Sequence, residues 1–277
     1  MSTAGLARNP CAITISCGMS AKQGAGLFDL SGRTALVTGG GQGLGFEIAA
    51  ALAEAGAHAI LNGRDSARLE AAAARIAAAG GKASALAFDV ADAASAAAAF
   101  RRIGDEWGAL DILVSNVGIR HRLPLREIAP EDFRRILDVN LTAAFQLARE
   151  AVAMMVPRRH GRIIFVTSIA GPLGRAYDAA YIAAKGGLAA FARALAVEFG
   201  PQGITTNAIA PGYFATETNT AMVADPKVEE FVKRRIPLRR WGAPREIAGA
   251  AVFLASDAAS YVNGHVLTVD GGLSASF

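Results

Sequence analysis

The stretch AYDAAYIAAK, residues 176–185, carries Tyr177, Tyr181 and Lys185 at equal steps of four. In a helix those steps place two phenols and an ammonium along one face. A phenol held beside a positive charge can exchange a proton with a reacting oxygen. Spacing alone does not choose between the two, because each tyrosine has a partner four residues further on.

A second constellation lies near the start of the chain. TGGGQGLG, Thr38–Gly45, follows the apolar run TALV and opens a helical pattern. Glycines there permit a tight turn and remove side chains that would keep the backbone away from a pyrophosphate. The unpaired N–H groups and dipole of the following helix favour that anion. Thr38, Gly39, Gln42, Gly43, Leu44 and Gly45 are therefore expected to hold a dinucleotide. The type of dinucleotide is read at the end of the next strand, where an acid would accept from a ribose 2′-OH. The sequence there is LNGRD, with Gly63 at the acid position and Arg64 after it. A guanidinium suits a 2′-phosphate, so NADP(H) is favoured, and NAD(H) stays open through Asp65. Asp89, followed by Val90 in ALAFDV, could bond an adenine amino group or cap the next helix.

The elements that position these residues follow from the pattern. TALVTG, HAILNGR, ALAFDV, LDILVSNVG, RIIFVTS, ITTNAIAPG and HVLTVDGG read as strands, separated by alanine-rich helical stretches. This is the alternation of an α/β fold: a Rossmann-type, doubly wound parallel sheet with helices on both faces, in three layers. Residues 28–277 read as one cofactor-binding domain. A charged helical insertion over 213–245 lies where ligand lids tend to be. Residues 1–27 read as a flexible extension, within which Met19 is an alternative start.

Composition narrows the class. With 277 residues, 52% hydrophobic, the chain can bury a sizeable core. Cys11 and Cys17 both lie in the extension, so the domain has no disulfide framework, which fits a reducing cytoplasm. The four histidines, His58, His121, His160 and His265, share no ligand spacing, and no metal site is expected. Net charge is +4 and aromatics are 7% of the chain, not interleaved with the basic residues, which argues against a nucleic-acid surface. No uninterrupted apolar run suggests a membrane span.

TGGGQGLG, Ser115-Asn116-Val117-Gly118, Asn140, Ser168, Tyr181-x-x-x-Lys185 and Pro211-Gly212 occur in this order. Together they resemble the short-chain dehydrogenase/reductase family over residues 28–277. The resemblance implies a tetrad of Asn140, Ser168, Tyr181 and Lys185. Tyr181 would exchange the proton, Ser168 would hold the substrate oxygen, and Asn140 would bind a water leading to Lys185. Working near neutrality requires the phenol pKa to fall by about three pH units, or ~4 kcal/mol. An ammonium about 4–5 Å away at an effective dielectric of about 20 supplies about 3–4 kcal/mol, which makes Lys185 a sufficient cause. The resemblance also implies cofactor contacts from Asn116, Gly118, Pro211, Gly212 and Thr216, and a homotetramer. Where the family usually shows Asn-Asn-Ala-Gly, Ser115 departs from the pattern. Tyr177 is left to line the substrate pocket, with Ser168 and Tyr181, or to pack.

Within the family, LNGR, AFDV, APGYFATE, RRWG and VNGHVLTVDGG look most like the gluconate 5-dehydrogenases, which act on a sugar-acid alcohol or ketone. Arg120, His121 and Arg122, with Lys233, Arg234, Arg235, Arg239 and Arg240, could meet a substrate carboxylate. The rival reading is a 3-oxoacyl-(acyl-carrier-protein) reductase. A reading of another class is a cofactor-binding regulator without turnover.

Overall fold

The computed structural model describes residues 26–276; the extension before Gly26, with Cys11, Cys17 and Met19, lies outside the described residues. In chain order the regular elements are β1 (Thr34–Thr38), α1 (Gly43–Glu54), β2 (His58–Gly63), α2 (Ser66–Ala78), β3 (Lys82–Ala87), α3 (Ala93–Trp107) and β4 (Ile112–Ser115). They continue with α4 (Pro130–Leu137), a π-helical turn (Asp138–Thr142), α5 (Ala143–Met155), β5 (Gly161–Val166), α6 (Ala170–Leu173) and α7 (Ala179–Phe199). The chain ends with β6 (Ile204–Pro211), α8 (Thr220–Val223), α9 (Pro226–Arg235), α10 (Ala248–Ala255) and β7 (Val266–Val269).

The strands form one parallel sheet in the order β3-β2-β1-β4-β5-β6-β7. Period-two alternation decides which face each side chain joins. Ala35, Val37, Ile112, Val114 and Ile164 point to one side, against Ile48 and Leu52 of α1, Leu69 of α2 and Leu254 of α10. Leu36, Leu113, Ile163 and Phe165 point to the other, against Ile103 of α3, Leu147 of α5 and Leu188 and Leu195 of α7. The result is the three-layer, doubly wound arrangement. Its strand order reverses between β1 and β4, and the crevice beyond their carboxyl ends is where such sheets bind ligands. Helix α7 has the length and hydropathy of a bilayer span, but Leu188, Ala192 and Leu195 pack it on the sheet as a core helix. The stretch after β6 folds as α8 and α9, and Val232 of α9 and Ile236 just after it pack on Ile169 and Leu273 at the sheet's carboxyl edge.

A polar knot sets the other end of the sheet. The Asp111 carboxylate, fully buried before β4, accepts the Thr34 backbone N–H at 2.9 Å and pairs with Arg158 at 2.9 Å. Beside it, Arg33 donates to His160 Nε2 at 2.6 Å. Burial first, then the cations Arg33 and Arg162, hold His160 down at about 4. An unfolded histidine takes its proton near pH 6.5, whereas His160 in the fold waits until about pH 4. Stability tied to this group is therefore full above about pH 6.5 and is lost as pH falls toward about 4, by about 2–3 kcal/mol. Urea denaturation of wild type and His160→Gln at about pH 7 and about pH 4.5 checks this. The variant is expected to lose less stability on acidification.

Candidate active site

The first βα turn is built from close approaches. A Cβ on Gly39 would lie 2.9 Å from Asn116 Nδ2, and one on Gly45 would lie 2.1 Å from the Gly39 carbonyl oxygen. Neither position admits a side chain, so the loop folds tightly onto the end of β4. Asn116 locks this approach. Its Nδ2 donates to the Thr38 carbonyl at 3.0 Å, and its backbone N–H donates to Thr38 Oγ1 at 2.9 Å. Leu44 packs on the core behind the turn. Gln42 precedes α1 without capping it through its side chain. The Gly43 N–H donates to the carboxylate of Glu217, from the segment before α8, at 3.1 Å. A carboxylate thus sits where the chain presents an anion seat, and the residues present fit a pyrophosphate.

Arg64 is exposed just past β2, and it forms no ion pair among the described residues. Asp65 caps α2, with Oδ1 accepting the Arg68 N–H at 3.0 Å, so it is engaged by the helix rather than presented to a ribose. Arg68 donates to Gln42 Oε1 at 3.0 Å, which brings a second guanidinium to the glycine loop. β3 ends at Ala87, earlier than the pattern ALAFDV suggests, so Asp89 lies in the turn beyond it. Its Oδ1 accepts the Ala91 N–H at 3.0 Å, while Asp92 caps α3 in its place. Val90 is buried beneath that turn. Ser115, the departure from the family pattern, is buried at the end of β4.

Lys185 and Asn140 meet around Gly118. A Cβ there would stand 2.8 Å from Asn140 Oδ1 and 3.3 Å from Lys185 Nζ. Asn140 lies in the π-helical turn, which shifts its side chain out of helical register toward the loop after β4. Its amide group spans the Ile119 backbone, accepting from N–H and donating to C=O, both at 2.8 Å. Lys185 is 3% exposed and donates to the Val166 carbonyl at 2.8 Å. Burial pulls its pKa to about 8.

Tyr181 lies in the first turn of α7, with the Ser168 hydroxyl beside its phenol. Burial raises the phenol above its ordinary value; Arg120 and then the Ser168 bond oppose that rise most strongly. The sequence reading made Lys185 the cause that lowers the phenol. In the structure Lys185 Nζ is 5.8 Å from the ring centroid and bonded elsewhere, whereas the Arg120 guanidinium carbon is 4.4 Å from it.

Tyr177 does not join the row. Helix α7 begins at Ala179, and Tyr177 lies in the loop before it at φ +67°, with its side chain 63% exposed. The neighbouring cleft, of about 970 Å³, is lined by Ser168, Arg120, Arg122, Arg175, Gly212 and Tyr213 among others, and neither Tyr177 nor Tyr181 is one of them. Pro211 ends β6, Gly212 packs against Asp270, and Thr216 is buried, with its hydroxyl 2.9 Å from that of Thr218.

A family model described as Enoyl-(Acyl carrier protein) reductase matches residues 39–274. The chain is 40% identical to gluconate 5-dehydrogenase of Gluconobacter oxydans, covering 90% of this chain and 98% of that one. The chain is a short-chain dehydrogenase/reductase.

A gluconate 5-dehydrogenase structure from Burkholderia cenocepacia, in complex with NADP and tartrate, superposes with a TM-score of 0.87 at 40% identity, covering 91% of this chain and 98% of that one. The 3-oxoacyl-[acyl-carrier-protein] reductase FabG of Escherichia coli is 37% identical, covering 88% of this chain and 98% of its own. For this short-chain dehydrogenase/reductase, sequence reasoning missed Arg68, Asp178, Arg175 and Glu217. Arg68 had a signal: it lies one turn after Arg64 at the start of α2. The other three are placed by contacts between segments far apart in sequence. The approach at Gly118 is testable. Gly118→Ala is expected to push Asn140 and Lys185 apart, cutting turnover at least tenfold and destabilising by about 1–3 kcal/mol, as read by steady-state kinetics and thermal unfolding.

Proposed function

We propose that this enzyme moves hydride between NADP(H) and a secondary alcohol or ketone of a sugar acid or polyol. The observation that carries the substrate side is the charge balance of the cleft. Arg120, Arg122 and Arg175 crowd its mouth next to Ser168, and Asp178 is the carboxylate that faces them. Burial, then repulsion from Arg120 and Arg175, pulls Arg122 below its ordinary value. Guanidiniums crowded in this way favour an anionic partner, and a substrate carboxylate meets that need. The similarity to named gluconate 5-dehydrogenases supports the same reading.

The Thr38–Gly45 loop and the α1 N-terminus would hold the pyrophosphate of the cofactor. Arg64 and Arg68 would hold the 2′-phosphate, Asp89 the adenine, Asn116 and Gly118 the nucleoside side, and Thr216 the carboxamide. The nicotinamide, when bound, supplies or accepts the hydride. Ser168 holds the substrate oxygen by its hydroxyl, and Tyr181 gives or takes the proton at that oxygen. Lys185 has three N–H donors and uses one on Val166, which leaves two for ligand hydroxyls. Asn140, buried beside it, supports a water path to the ammonium. We infer a cytoplasmic homotetramer, supported by the exposed Phe145 on α5 and Val197 on α7. Sedimentation giving a monomer would overturn the tetramer.

The deciding experiment compares NADP+ and NAD+ reduction over gluconate and related polyols with NADPH oxidation on acetoacetyl thioesters. Turnover of gluconate with NADP+ is expected; an inert gluconate with an active thioester favours the acyl-carrier-protein reductase reading. Nucleotide binding with no turnover on either panel favours the silent regulator. Tyr181→Phe is expected to lower turnover by at least about a thousandfold while NADP+ still binds, as measured by calorimetry. Arg64→Ala is expected to weaken NADP(H) about tenfold to a hundredfold and to leave NAD(H) nearly unchanged. Equal losses for the two cofactors would remove Arg64 from the phosphate contact.

A further inference from the structure

Tyr181 stands between two cations, and its nearer neighbour is not the lysine of its own helix. Arg120 comes from the loop after β4 and lays its guanidinium over the ring face, 4.4 Å from the centroid. A cation over that face is attracted to the neutral phenol, and more strongly to the phenolate, whose charge spreads into the ring.

The guanidinium is clamped. Its Nε donates to Asp178 Oδ1 at 2.9 Å, and a terminal nitrogen reaches Oδ2, which makes a two-point grip. The Asp178 side chain is wholly buried, three residues before Tyr181. If Arg120 left, Arg122, 3.8 Å away, would be the one cation paired with this carboxylate among the described residues. A buried carboxylate robbed of its partner is strongly unfavourable, so the clamp resists opening. The Leu123 N–H donates to the Tyr177 carbonyl at 3.0 Å and fixes the same two segments through the backbone.

The groups facing the phenol come from three elements. Arg120 and Arg122 come from the loop after β4, Ser168 from the loop after β5, and Asp178 and Lys185 from α7 and its approach. Burial pushes the phenol up, and among its neighbours Arg120 opposes this most. We propose that Arg120, held by Asp178, is a positioning residue that stabilises the phenolate of Tyr181 from the ring face. The proposal rests on reading Tyr181 as the proton-exchanging group.

The test is ultraviolet difference titration of tyrosinate in the full chain, with Tyr181→Phe identifying its band, together with the pH profile of kcat/KM for alcohol oxidation. Arg120→Gln is expected to move the Tyr181 ionisation up by about one pH unit or more and to shift the acidic limb of the profile in parallel. Arg120→Gln/Asp178→Asn removes both charges and separates the direct pull of the guanidinium from mere neutralisation of Asp178. Its ionisation is expected to stay above wild type, though by less than in the single variant. A single variant that does not move, or a double variant at the wild-type position, overturns the proposal and leaves the pair a neutral strut. Where the glutamine variants do not fold, Arg120→Lys decides. An ammonium cannot grip both carboxylate oxygens and cover the ring, so a rise of about half the size is expected, and no rise overturns the proposal. If the ionisation moves as expected but no protein turns over any substrate, the electrostatic inference stands and the catalytic reading fails.

Discussion

A buried ammonium with no carboxylate beside it is the constraint on which this site is built. Lys185 is 3% exposed, forms no ion pair among the described residues and keeps one hydrogen bond, to the last carbonyl of β5. Removing an ammonium from water costs several kcal/mol, so the surroundings must offer oriented dipoles or let the charge go. Burial takes its pKa to about 8, which leaves the charge in place at neutrality with little margin. Gly118 has no side chain where Lys185 and the Asn140 amide converge, and a methyl there would strike both. The Asn140 amide in turn grips both backbone groups of Ile119, and the next residue is Arg120. Arg120 returns to Asp178, at the foot of the same helix that carries Lys185. The loop after β4 is thus held twice, at Ile119 by Asn140 of the π-helical turn and at Arg120 by Asp178 before α7.

This ring of contacts explains which parts of the site were legible in the sequence. The strands and the glycine turn were visible because period-two patterning and glycine spacing are local properties. Asn140 was legible through the family resemblance, and an asparagine inside a helical pattern is an anomaly. The π-helical turn that resolves the anomaly has no local signature there. Asp65 was open as a ribose partner until the structure gave its carboxylate to the first turn of α2. For Tyr177 the spacing left two places open, a turn before Tyr181 or the loop before the helix, and the structure takes the loop. The chain turns through φ +67° at that residue, before α7 begins.

The cation over the ring face is more instructive. Sequence spacing put Lys185 one turn from Tyr181, and Coulomb's law with a generic distance made that sufficient. Adjacent turns of a helix do not fix where a flexible four-carbon chain points. Here it points to Val166, and the charge that covers the phenol comes from a loop remote in sequence. Asp178 shows the same limit: between two tyrosines it is an unremarked acid, yet it is wholly buried and decides where Arg120 lies.

The two ends of the cleft differ in how they are specified. The cofactor end is made by backbone: glycines that admit no Cβ, the N-terminal N–H groups of α1, and Asn116 bonded to the main chain of β1. Backbone geometry tolerates few substitutions, so it leaves a readable pattern. The substrate end is made by side chains from separate loops, Arg120 and Arg122 after β4, Arg175 before α7 and Tyr213 after β6. Arg175 donates to the Tyr213 hydroxyl at 3.1 Å and pairs with no carboxylate among the described residues, so part of the positive charge at the mouth is left for a ligand. Exchanging Arg122, Arg175 or Tyr213 would leave the sheet, the glycine turn and the Lys185 cage in place. A fold of this kind therefore holds its chemistry constant while the substrate changes, because the constraint that fixes the chemistry and the charges that choose the substrate share only Arg120.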